Sequence, residues 1–246
     1  MCPQKIIAMT PLFSNFFPEG IITFISDRSQ DFTLPQGEND LREEQKKILS
    51  QQFDFILPKV FTIRQVHGKK IIVLKNNFFK PLFKKDIEEA DGIITNVDNL
   101  PIAVRTADCL SIFLYNSKKH CIGLVHAGWR GSQKGIIFEA LKFLRVNFES
   151  EPQDLKVAFG PCIRSCCYRV GEEFKKYFPK DTILKGNAFY LDLVKMNTNE
   201  FVRFGVKPEN IFDCGICTCC SEQYFSYRRE GEKAGRMISL MMLKKD

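Results

Sequence analysis

LSIFLYNSKKHCIGLVHAGWRGSQKGIIFEALKFLRVNF, residues 110–148, is the stretch on which the fold class turns. Residues 110–115 and 121–125 are short apolar runs rich in Ile, Leu and Val, separated by polar residues, and each reads as a strand. The second run delivers His126 into Ala127-Gly128-Trp129-Arg130-Gly131-Ser132. Beyond it Ile136, Ile137, Ala140, Leu141, Leu144 and Phe148 recur at helical spacing, with Ser132 the expected N-cap. Strands that run into an amphipathic helix define an α/β chain.

The flanking sequence extends the pattern. Residues 60–66 and 71–74 read as strands, as do 93–95 and 102–106, while the Phe- and Lys-rich residues 76–85 read as a surface loop. Residues 38–53 form a charged helix, with Asn39 or Asp40 as N-cap and Leu41, Ile48, Leu49 and Phe53 on its apolar face. Downstream, the pattern predicts a strand at 155–159, a short helix at 171–178 and a longer helix at 191–204 stopped by Gly205. Residues 224–227 look strand-like. Strands and helices alternate irregularly, so the expected architecture is mixed β-sheets flanked by helices. Without a repeat, linker or composition shift, residues 1–246 are expected to form a single domain.

Lys and Arg exceed Asp and Glu, giving a formal net charge of +7, but the longest basic runs are only pairs. That dispersal argues against nucleic-acid binding and suits a small anionic substrate such as phosphate. No segment approaches the roughly 18 apolar residues of a membrane span, and the N-terminus lacks a signal-peptide pattern. A cytoplasmic protein is therefore expected, with its ten cysteines reduced.

Only three histidines exist, His67, His120 and His126. His67 stands at a strand end before Gly68, and His126 opens the glycine-flanked loop. Cys109 stands at another strand junction beside Asp108 and Arg105, a polar setting that suits thiolate or metal chemistry. Two imidazoles and one thiolate suit one Zn²⁺ with a coordination position left for water. Gly128 and Gly131 leave backbone amides open to an anion, and Arg130 adds a bidentate contact for phosphate or carboxylate. His120, among lysines, reads as a surface residue. The run Cys214-x-x-Cys217-x-Cys219-Cys220 invites a structural zinc or a redox pair, but no second CxxC or nearby histidine completes a zinc site, so buried thiols are the first reading there and for Cys162, Cys166 and Cys167.

Taken together, QVHG (65–68), ADGIITN (90–96), VRTADC (104–109), HAGWRG (126–131), GPCI (160–163), YRVG (168–171), LDL (191–193), CT (217–218) and FSYRREGEKAGR (225–236) resemble the YfiH family. It is also called the laccase-domain or multicopper polyphenol oxidase family. The resemblance implies a zinc-dependent purine nucleoside phosphorylase with adenosine deaminase activity, acting on adenosine and inosine and extending to guanosine and methylthioadenosine. It places the metal ligands on His67, Cys109 and His126, and puts Asp108, Arg130 and Arg228 at the pocket. Asp108 and Arg130 are the expected catalytic residues, and Arg130 and Arg228 the substrate-binding ones. Arg164 and Arg169 depart from the glycine and acidic residue common there, and Thr33-Leu34 and Glu44-Gln45 from the usual asparagine-containing pairs. Copper oxidase chemistry is not expected, because three histidines cannot furnish a multicopper set. Two other readings remain open at this level. One is a cysteine hydrolase acting on a cell-wall precursor, with Cys109 as nucleophile. The other is a binding protein whose zinc takes a fourth ligand from the Cys214–Cys220 group.

Overall fold

A computed structural model describes residues 12–13, 15–34, 41–51, 60–75 and 89–245. Its largest sheet has six strands in the order β12-β8-β6-β7-β4-β3. These are β3 (Ile71–Leu74), β4 (Gly92–Thr95), β6 (Leu110–Asn116), β7 (Cys121–Ala127), β8 (Leu155–Phe159) and β12 (Ile211–Asp213). The central pairs are antiparallel, while β3 with β4 and β8 with β12 are parallel. A second sheet has the order β1-β13-β5-β2, formed by β1 (Ile21–Ile25), β2 (Phe61–Thr62), β5 (Ile102–Thr106) and β13 (Met237–Leu243). A small third sheet joins β9 (Arg169–Val170), β10 (Thr182–Lys185) and β11 (Ala188–Leu191). The expected mixed sheets with flanking helices are thus present.

The first two sheets share a core. Ile63, Ile102, Val104, Met241 and Leu243 of the four-stranded sheet and its approaches pack with Ile93, Phe113, Ile122, Leu124 and Ala158 of the six-stranded one. Both faces of the larger sheet are covered, so β6 and β7 are buried at every position and show apolar runs rather than alternation. Its other face is covered by α3 (Ile136–Phe148) and α5 (Leu193–Arg203), through Ile137, Ala140, Leu144, Val194 and Phe201.

The helix expected over 132–148 is two helices. α2 (Trp129–Gln133) ends before Gly135, whose φ of 81° turns the chain into α3. Ser132 caps neither. Its N–H already donates to the Gly128 carbonyl within α2, and its hydroxyl donates to Asn197 of α5. Helix α1 (Glu43–Gln51) is shorter than the expected 38–53, and its proposed caps, Asn39 and Asp40, lie outside the described residues, as do Phe53 and the loop 76–85. The strand over 60–66 shrinks to β2. Helix α4 (Phe174–Tyr177) falls inside the expected 171–178.

Residues 224–227 are not a strand. The Arg229 guanidinium gathers the carbonyls of Thr218, Cys219, Ser221 and Tyr224, and Ser226 caps α6 (Tyr227–Glu230). Among the described residues, no helix is long and apolar enough to cross a membrane.

Candidate metal centre and arginine-lined pocket

The hairpin of β6 and β7 pairs Leu110 with Ala127 and Ser111 with His126. Its open end therefore sets Cys109, the residue before β6, beside the His126–Gly128 segment. Residues 107–109 cross from β5 in one sheet to β6 in the other, so the site lies where the two sheets meet. On the far side of β7, Gly92 pairs with Val125, and the His126 N–H donates to the Asp91 carbonyl at 2.7 Å.

Asp91 organises the third approach. Its carboxylate is fully buried and accepts hydrogen bonds from the backbone N–H of His67 at 2.9 Å and of Gly68 at 2.6 Å. It also lies 2.8 Å from His126 Nδ1. That contact gives Nδ1 the proton and frees Nε2 to act as a donor atom, as in a carboxylate–histidine–metal relay. Burial works to raise the Asp91 carboxyl, but the bonds from His126 and Gly68 and the His126 charge hold it below its ordinary value. His67 adopts φ 55° and Asp108 φ 87°, left-handed conformations at two positions of the candidate site.

These elements converge His67, Cys109 and His126, one donor atom from each lying within 4.8 Å of the others. Cys109 Sγ is 3.8 Å from His67 Nε2, and the two imidazole rings meet edge to face at 4.9 Å. Burial alone raises the Cys109 thiol, but the neighbouring His126 and His67 bring it well below its usual value. Burial lowers His126, yet Cys109 and Asp91 raise it overall. These shifts pair a Cys109 thiolate with a protonated His126; a metal ion that displaces that proton would find one thiolate and two imidazoles, a donor set suited to zinc. Gly128 makes room for it, since a Cβ there would stand 2.9 Å from Cys109 Sγ and 3.2 Å from His67 Cδ2. Among the described residues, no fourth His, Cys, Asp or Glu joins this group.

The centre opens into a cavity of about 790 Å³, a size that takes a drug-sized ligand. Arg64, Arg105, Arg130, Arg228 and Arg236 line it, and among the described residues Asp108 is the only carboxylate that does. Arg64 is ion-paired to Glu89. Arg105 is different. Burial and the neighbouring Arg236 charge pull its guanidinium down to about 10, and its buried Nη1 has no partner among the described residues. Two cations held together with a bare donor call for an anion. Arg130 lies exposed over the Trp129 indole at 4.4 Å, and among the described residues it makes no ion pair. Trp129 itself packs on Phe174, fixing α2 against the helical layer. The helix that opens at Trp129 has only five residues, so positive potential here comes from arginines more than from a helix dipole.

Asp108 is buried, with Thr218 Oγ1 donating to one carboxylate oxygen and the Arg228 N–H to the other, each at 2.6 Å. The Arg228 guanidinium lies over Tyr168 and donates to the carbonyls of Cys167 and Arg169. All the sequence-selected site residues therefore line one pocket. His120 is exposed at the β6–β7 turn, 2.6 Å from Asp98 Oδ1 and apart from the centre. Thr33 and Leu34 also reach the pocket, their loop held by Gln45, whose side-chain amide donates to the carbonyls of Asp31 and Thr33.

Asp91, Arg105, Arg236 and Tyr168 went unassigned in the sequence. Asp91 carried a signal, an acidic residue immediately before an otherwise buried strand. Arg105 and Arg236 meet only because β5 and β13 pair, joining Thr106 to Met237 in register.

An α/β protein with a three-donor soft-metal centre under a cationic pocket is the class that the fold and site define. Residues 36–244 match the family described as multi-copper polyphenol oxidoreductase laccase, and the chain belongs to that family. It is 35% identical over 185 residues to a protein of Aquifex aeolicus named purine nucleoside phosphorylase, covering 75% of this chain and 84% of the relative. A Borreliella burgdorferi protein of the same name is 33% identical over 195 residues, covering 75% and 81%. The crystal structure of YlmD from Geobacillus stearothermophilus superposes with a TM-score of 0.82 at 24% identity, covering 96% of this chain and 94% of that one. Bacillus licheniformis YfiH gives 0.75 at 23% identity, covering 91% and 93%. The family description names copper, but a multicopper set needs many imidazoles, and His67 and His126 are the only two of this chain's histidines at the centre.

Proposed function

We propose that this chain is a purine nucleoside phosphorylase with adenosine deaminase activity, and that His67, Cys109 and His126 hold one zinc ion. The observation that carries the proposal is the pairing of that donor set with a pocket of five arginines and one carboxylate. The names of the relatives, purine nucleoside phosphorylase, support the phosphorylase part of this reading. Zinc bound there would supply Lewis acidity beside the substrate.

The chain's own residues supply the rest. Arg105 and Arg236 hold phosphate, with the exposed Arg130 as the third contact, and present an oxygen to the anomeric carbon. As the C1′–N9 bond breaks, the bonding pair leaves with the purine, which needs a proton at N7. Asp108, its carboxylate fixed by Thr218 and Arg228, is the residue assigned to take the proton that the attacking hydrogen phosphate gives up and pass it to N7. In deamination water adds at C6, ammonia leaves, and Asp108 carries the proton to the departing nitrogen. Arg228 and Tyr168 form the wall that orients the purine.

The test is to incubate zinc-loaded protein with adenosine, with and without phosphate, and identify products by mass. Ribose 1-phosphate formed only with phosphate, and lost in Cys109→Ala, supports the assignment. Inosine formed without phosphate isolates the deaminase reaction. A lowered Cys109 thiol beside two imidazoles would also suit a cysteine hydrolase. Alkylation separates the two, since a metal-held thiolate is protected by zinc and a free nucleophile is not.

A further inference from the structure

The two cysteine groups that read as inert thiols in the sequence are one cluster in space. Cys166 and Cys167 follow β8, and Cys217 and Cys220 follow β12, some fifty residues later. Because β8 and β12 run parallel, their C-terminal extensions stay side by side, and Cys162 bridges to Cys217 in the same direction. The Thr218 N–H donates to the Cys162 carbonyl, and Arg164 reaches across to pair both guanidinium arms with Asp213. The missing partner of the Cys217-x-x-Cys220 pair is therefore not a second CxxC but the adjacent Cys166-Cys167.

We propose that Cys166, Cys167, Cys217 and Cys220 bind a second, structural zinc ion, separate from the pocket centre. All four sulfurs lie within 4.8 Å of one another. Cys220 Sγ is 3.5 Å from Cys166 Sγ and 3.2 Å from Cys167 Sγ. Zn–S bonds of ~2.3 Å in a tetrahedron place sulfurs about 3.8 Å apart, so the cluster closes on one ion with small adjustments. These contacts are far longer than a disulfide bond of roughly 2.05 Å. A group this tight encloses a single ion and not a multi-iron cluster, whose thiolates stand wider apart. Arg229 holds the 218–224 loop in shape by binding four of its carbonyls.

The ion would act at a distance from the chemistry. Tyr168 follows Cys167, and Thr218, which holds Asp108, follows Cys217. Clamping the two segments together fixes the wall of the pocket that carries both.

The site is tested in the full chain after the pocket centre is removed by Cys109→Ser with His126→Ala. Purified under reducing conditions and dialysed, this variant is expected to retain one equivalent of zinc. Replaced by cobalt, that ion should show the intense sulfur-to-cobalt charge-transfer bands of a four-thiolate tetrahedral site. Adding Cys166→Ser and Cys220→Ser should abolish both. In the otherwise native chain, the same two serine substitutions should lower zinc from two equivalents to one. A pocket-less variant that binds no zinc overturns the proposal, as does a cobalt spectrum without thiolate charge transfer. Mass spectrometry of unreduced protein showing these cysteines as disulfides overturns it as well. All of these readouts come before any serine is placed in the cluster, so a misfolded serine variant does not shelter the claim.

Discussion

Asp91 shows how much of the centre depends on one side chain that touches no substrate. Its carboxylate binds His126 Nδ1 and the backbone of His67 and Gly68 together, so it sets both an imidazole tautomer and a loop. Outer partners of metal-bound histidines typically contribute ~10–100-fold to metal affinity. Asp91→Asn should weaken zinc binding by about that factor, measured by competition with a chromophoric chelator, while the chain stays folded. Unchanged affinity would show that Asp91 serves only the fold. Gly128→Ala places a methyl group against Cys109 and His67, so it should lower pocket zinc occupancy and leave the four-cysteine zinc unaffected. Asp31 gives a pH prediction. Burial works to raise its carboxyl, but hydrogen bonds from Thr33 and Arg236 hold it below the ordinary value. A depressed folded-state value contributes stability above the unfolded value, lost as pH falls through the folded one. Chemical denaturation below about pH 4 should therefore show a shallower acid loss for Asp31→Asn than for the native chain.

At the scale of elements, the β6–β7 hairpin and the turn into α3 do most to build the site. Gly135, at φ 81°, breaks the chain between α2 and α3, and replacing it by alanine should cost about 1 kcal/mol. Urea unfolding measures that, and an unchanged midpoint would mean the turn relaxes. The same elements show what the sequence carried. β6 and β7 were legible because continuous apolar runs mark strands covered on both faces. The continuous helix over 132–148 was not, since the apolar repeat truly begins at Ile136 and nothing local says that Ser132 bonds Asn197 instead of capping. β13, Met237–Leu243, is buried at every position and carries no alternation to set it apart from a buried helix. The hairpin of β10 and β11 is half-exposed and short, a weak pattern at any level. His67, Cys109, His126, Asp108, Arg130 and Arg228 were found through their motifs. The four-cysteine cluster was missed because its halves meet only through the parallel pairing of β8 and β12.

For the whole molecule, the site is a consequence of two sheets packing face to face. The chain crosses between them at residues 107–109, and the centre, the half-buried Arg105 and Arg236 and Asp108 all gather at that crossing. Arg105→Ala should therefore raise the KM for phosphate by an order of magnitude or more with little change in pocket zinc. Equal loss for reactions with and without phosphate would place Arg105 elsewhere in the chemistry. On the proposed function, this pocket passes ribose to phosphate and delivers water only to the purine. Turnover of adenosine with phosphate in ¹⁸O-water tests it directly. One ¹⁸O atom on the purine at C6 and ribose 1-phosphate without water oxygen are the expected products. Free ribose in place of ribose 1-phosphate, or hypoxanthine without label, would contradict it.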